Sequence, residues 1–136
     1  MRRLNFLFLA VVAVLLNACQ PANNPPDPSE TQELVGRWNA VKIVMDGETY
    51  TEDLEFVFFE FYENKTCIFN IEGFEGDDVE ANYFYSDGVL KLSDPDDASE
   101  YLLCEVEKLT ETELVLNFPP LEADEDSFTI YYQKAQ

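Results

Sequence analysis

The stretch LEFVFFEFYENKTCIFNIEG, Leu54–Gly73, decides how the chain folds. Its first half, Leu54 to Tyr62, is too dense in Phe to make a comfortable surface helix. Glu63-Asn64-Lys65-Thr66 then supplies polar turn residues. The second half alternates, which places Cys67, Phe69 and Ile71 on one face. Two apolar runs joined by a polar turn read as a β-hairpin.

Working outward, the same two-residue period recurs at short spacing. Upstream, Leu34 to Val44 (LVGRWNAVKIV) reads as a strand opened by a glycine, with a turn at Asp46-Gly47. The segment 46–54 has room for a short helix or for a cover over the hairpin. Downstream, Ala81 to Tyr85 runs into Asp87-Gly88, a strong tight-hairpin signal, and Val89 to Leu92 returns. Beyond the polar loop 93–100, Tyr101 to Lys108 alternates, with Leu102, Cys104 and Val106 on one face. Leu114 to Phe118 and Phe128 to Tyr132 follow, separated by Pro119-Pro120 and an acidic loop. No segment shows a helical period over ten residues. Eight strands joined by short turns predict an all-β fold, an antiparallel up-and-down eight-stranded β-barrel, because closure removes exposed sheet edges.

The N-terminus reads differently. Met1-Arg2-Arg3 is followed by the apolar run Phe6–Leu16, about half of the roughly 20 residues that a spanning helix needs. It fits the apolar region of a secretory signal. Leu16-Asn17-Ala18-Cys19 resembles the lipobox of bacterial lipoproteins, and that resemblance implies cleavage after a signal peptide spanning 1–18 and lipidation (palmitate-type acylation) of Cys19. Residues 19–32, rich in Pro and Asn, have no large apolar side chain and predict a flexible, disordered tether. The folded domain is expected over 33–134. Gln20, rather than Asp, after the modified Cys implies by the same resemblance the outer membrane of a Gram-negative cell, with no statement of which face.

Bulk charge narrows the partners. The chain of 136 residues carries a formal charge of −20, and loss of Arg2 and Arg3 with the signal makes it two units more negative. Such a surface repels phosphate backbones, so no nucleic-acid partner is expected. With 46% hydrophobic residues the chain has ample means to build a core. Cys67 and Cys104 remain as an even pair in an exported, oxidising setting; a disulfide between them and two buried free thiols both stay open.

In their order and spacing these residues resemble the small lipocalin-like domains of bacterial lipoproteins. The resemblance rests on Leu34-Val35-Gly36-Arg37-Trp38, on the hairpin Phe59-Glu60-Phe61 to Thr66, on Asp87-Gly88-Val89-Leu90-Lys91-Leu92, on Leu109 to Leu116 and on Phe128-Thr129-Ile130. It departs at Lys65, where the family has a turn glycine, at Cys67, where it has an aromatic, and in the longer loop 121–127. What it implies is a barrel with a lumen, a small hydrophobic ligand, and a structural place for Trp38 closing one end.

Catalysis finds little purchase. The chain has no histidine, which removes the usual general base and the histidine-based triads and zinc motifs. No cofactor-binding loop is present. The acidic runs 75–78, 94–97 and 122–126 match no calcium-loop pattern, and no metal site is expected. Every second side chain of a small barrel points inward. The candidate lumen set is Phe59, Phe61, Phe69, Ile71, Tyr83, Tyr85, Leu92, Leu116 and Tyr132, with Val57, Leu90, Leu102, Val106, Leu114, Phe128 and Ile130 beside them. Phe56 and Phe58 then face outward, under the 46–54 segment. Two functions follow: a membrane-anchored, non-catalytic binder of a small hydrophobic ligand, or a closed scaffold whose outer face meets another envelope protein.

Overall fold

A computed structural model describes residues 33–136. The expected signal peptide 1–18, the Cys19 lipidation site and the tether 19–32 lie outside the described residues. Nine strands run in chain order: β1 (Gly36–Met45), β2 (Glu48–Tyr50), β3 (Phe58–Phe61), β4 (Thr66–Asn70), β5 (Val79–Ser86), β6 (Val89–Ser93), β7 (Tyr101–Leu109), β8 (Glu113–Phe118) and β9 (Phe128–Lys134). From β3 to β9 each strand pairs antiparallel with the next, and β1 pairs with both β3 and β9. Eight strands therefore close into the expected barrel.

The ninth strand corrects one expectation. Segment 46–54 holds neither a helix nor a cover; β2 turns back at Asp46-Gly47 and pairs Ile43 with Tyr50 and Val44 with Thr49, on the edge of β1 that β3 leaves free. Both turn residues have positive φ, 54° and 76°, as do Asp87 and Gly88 at 52° and 76°. That is the backbone a two-residue hairpin matched to strand twist requires. Lys65 adopts φ 69° at the very position where the resembling family has glycine. Asn64 holds that turn, its Oδ1 accepting from the Thr66 backbone N–H at 3.1 Å and from Thr66 Oγ1 at 2.6 Å.

Two bulges explain where strict alternation fails. In β1 the register with β9 shifts between Ala40 and Lys42, so that Ala40 and Ile43, three apart, both pack inward. In β7 a shift between Val106 and Lys108 does the same for Val106 and Leu109. An extra residue on one strand re-aims every side chain after it.

The second expected strand is also shorter than 54–62. Residues 54–57 form a turn, with the Val57 N–H donating to Leu54 O at 3.0 Å, and pairing starts only at Phe58. Phe58 does face away from the core, yet it is buried. Its cover is the Arg37 guanidinium, 4.1 Å from the ring centroid and 3.6 Å from a Glu60 carboxylate oxygen, rather than segment 46–54. Phe56 is half-buried.

Candidate functional site

The inward residues meet in ladders that cross strands in register. Trp38 faces Phe59, which faces Phe69; Tyr85 faces Leu90, which faces Cys104; Leu109 faces Leu114, which faces Tyr132, which faces Ala40. All of the expected lumen side chains belong to the core or pack against it. Phe59, Phe61, Phe69, Tyr83, Leu92, Leu116 and Tyr132 are buried; Ile71 and Tyr85 are partly buried at its margin, Ile71 in the loop just past β4. Cys67 and Cys104 lie with them, on the face that alternation gives them, and Leu34, Ala40, Ala81 and Phe118 join from outside the expected set. The small ones among these carry little hydrophobic signal, and only register puts them inside.

Phe59 is the centre of this interior. Its ring stacks on Phe61 at 5.0 Å and on Phe69 at 4.8 Å, lies 6.4 Å from Phe118, and meets Tyr132 edge-on at 5.8 Å. Phe61 meets Tyr83 edge-on at 4.9 Å, and Phe118 stacks on Phe128 at 5.0 Å. These are the offset and edge-to-face separations that aromatic quadrupoles favour. Two grooves, of about 450 and 320 Å³, lie on the outer wall. The first runs past Ile68, Glu80 and Asn82, the second past Val41, Val115 and Tyr131.

One end is shut. Trp38 is fully buried and its indole N–H donates to Leu34 O at 2.8 Å. Lys134 Nζ sits 4.9 Å from the Trp38 ring centroid and donates to Val35 O at 2.7 Å, which ties the last strand to the entry of the first. Gly36 is needed there because its backbone adopts φ 124°, a region that L side chains rarely enter. The other end carries the loops β4–β5, β6–β7 and β8–β9. Asn70, buried among apolar neighbours, organises the first of them: its Nδ2 donates to Phe74 O at 2.7 Å and its Oδ1 accepts from the Gly73 N–H at 2.9 Å. Alternation alone does not single out this residue; an Asn at the end of an apolar strand is the only trace.

Polar groups inside the wall are few. Tyr83 donates its hydroxyl to Tyr62 O at 2.8 Å, and burial pushes its pKa up to about 12. Tyr132 is 1% exposed, its hydroxyl has no hydrogen-bond partner among the described residues, and burial holds its pKa well above the usual phenol value. Cys67 and Cys104 are two free, buried thiols rather than a bridge, each raised to about 12 by burial. Because the folded state holds these protons more tightly than the unfolded chain, their contribution to stability is complete below pH 9 and is lost as pH rises toward 12. At pH 8 only about one such thiol in ten thousand is ionised. A thiol reagent such as Ellman's is therefore expected to leave the native protein unmodified over an hour at pH 8 and to titrate both Cys67 and Cys104 in urea. Failure to react in urea would mean that they are oxidised.

Among the described residues no group of three or more Cys, Asp or Glu side chains is placed to hold a metal ion. What the closed wall, the plugged end and the apolar interior define is a lipocalin-like β-barrel. Two solved structures share this fold. The chain is similar to a lipocalin-like protein from Bacteroides uniformis ATCC 8492, at 16% identity and TM-score 0.50, covering 76% of this chain and 99% of that one. It is also similar to an uncharacterized protein from Bacteroides eggerthii DSM 20697, at 15% identity and TM-score 0.52, covering 75% of this chain and 99% of that one. A deswapped triple mutant of bovine odorant-binding protein superposes at TM-score 0.46, with 18% identity over 76% of this chain and 74% of that one. No family model and no curated protein matches the sequence.

Proposed function

We propose that the protein is a non-catalytic lipoprotein of the cell envelope, anchored through lipid on Cys19 to the outer membrane of a Gram-negative cell, and that its barrel binds a small hydrophobic ligand. The observation that carries the binding reading is the interior itself. A closed lipocalin-like wall presents an apolar, largely aromatic surface from every strand that closes it, with Phe59, Phe69, Leu92, Leu116 and Tyr132 among its members. Such a surface gains free energy from any apolar molecule that it removes from water, at about 25 cal/mol per Å². The non-catalytic reading rests on the absence of histidine and on carboxylates that stand on exposed strands and loops.

A second reading is favoured by a different observation. Phe59 touches four other rings and both grooves lie outside the wall, the arrangement of a filled core whose partner, another envelope protein, meets the outer face. Native mass spectrometry of the chain from residue 20, purified from its own host, separates the two. An apolar adduct near one per chain is the expected result for a ligand carrier. A bare sequence mass would move the function to the outer wall.

A further inference from the structure

We propose that Tyr132 is the polar anchor of the lumen, and that the ligand it selects is a compact, neutral, apolar molecule bearing one carbonyl-type hydrogen-bond acceptor. The inference rests on the ligand-binding reading above and adds a chemistry to it. Two tyrosines lie buried inside the barrel, and they are treated oppositely. Tyr83 spends its hydroxyl on Tyr62 O, whereas the Tyr132 hydroxyl is fully enclosed with no partner among the described residues. A buried hydroxyl without a partner is a cost that Phe at the same position would avoid.

The surroundings of Tyr132 say what would complete it. By register it faces Ala40 on one side and Leu114 on the other, and Cys104 is its electrostatic neighbour. Ala40 and Cys104 are among the smallest inward side chains. A thiol with its pKa raised to about 12 stays protonated and is a weak acceptor. A phenol is the stronger donor, which calls for an acceptor on the ligand. No inward side chain is Lys or Arg: Lys134 is spent on backbone carbonyls at the plugged end, and Arg37 stands over Phe58 outside. A carboxylate would enter unpaired, at a heavy desolvation cost. A ketone, aldehyde or ester oxygen meets the requirement without a charge. Phe59 stands against four rings, which favours a small molecule.

Acetophenone and α-methylstyrene test this, because they share one planar shape and differ only in C=O against C=CH2. Binding of each to the chain from residue 20 is measured by calorimetry or ligand-observed NMR, in the wild type and in Tyr132→Phe. The expected result is that Tyr132→Phe weakens acetophenone about tenfold and changes α-methylstyrene less than twofold, the loss of one hydrogen bond to a buried donor. Without ligand the Tm of Tyr132→Phe should equal or exceed that of the wild type, since no bond is lost. Equal binding of both probes by both variants would overturn the role of Tyr132 and leave the lumen reading standing. Failure of acetophenone to bind the wild type would overturn the inference, and a bare mass for the chain purified from its own host would overturn the lumen reading as well. A lower Tm for the ligand-free variant would show that the hydroxyl already has a partner, such as a buried water, and would also overturn the inference.

Discussion

Replacing Phe59 with Ala is expected to lower the free energy of unfolding by about 3–5 kcal/mol, the range for deleting a large buried aromatic. Phe59 stands in β3 between Trp38 on β1 and Phe69 on β4, and its ring reaches across the lumen to Phe118 and Tyr132. Its removal takes a partner from four rings at once, and a closed wall cannot collapse far into the gap. A domain of ordinary stability has only about 5–15 kcal/mol to lose, so the variant sits near the edge of folding. Urea unfolding of the chain from residue 20 measures the effect, with Phe74→Ala as the control. Phe74 is 66% exposed at the tip of the β4–β5 loop, and its truncation is expected to change stability by less than about 0.5 kcal/mol. A loss under about 1 kcal/mol for Phe59→Ala would show that the interior already tolerates a cavity there. That outcome would favour the ligand carrier over the filled scaffold.

The aromatic centre was legible in the sequence because Phe59, Phe61 and Phe69 alternate on strands whose period is two. Position in a closed sheet follows from parity once the strands are recognised, and each inward residue named from parity lies in the core or against it. Three kinds of feature escaped, each for a physical reason. Bulges break parity, so Ile43 and Leu109 escape it. Tertiary cover is not local: Phe58 is sheltered by Arg37, whose position on a neighbouring strand is set by pairing rather than by nearby sequence. Segment 46–54 carries few apolar residues, and its Asp-Gly turn is the only sign that β2 exists; Glu48, Thr49 and Tyr50 are all exposed. At the candidate site, parity put Tyr83 and Tyr132 inside together. Only the structure separates a hydroxyl that has found Tyr62 O from one that has found nothing.

Changing Cys19 to Ser is expected to release the protein from the membrane fraction almost completely and to abolish labelling by radioactive palmitate. On the proposed lipidation of Cys19, each buried methylene would contribute about 0.8 kcal/mol, and two or more chains would hold the protein where one would let it exchange. Nothing in the barrel replaces that anchor, because a surface this acidic is repelled by anionic headgroups. Five of the six cations after Cys19 are already engaged: Arg37 with Glu60, Lys108 with Glu113, Lys42 over Tyr131, Lys91 over Tyr101 and Lys134 with Val35 O. Glu33, where the described residues begin, lies at the Trp38 end, its carbonyl accepting from Lys134 Nζ at 3.4 Å. The acidic β4–β5, β6–β7 and β8–β9 loops stand at the opposite end. Fractionation of cells expressing the full chain measures the change, and the Tm of the soluble variant should match that of the chain from residue 20. Retention in the membrane after carbonate washing would instead make the apolar run 6–16 an uncleaved anchor, and the lipobox reading would fall with it.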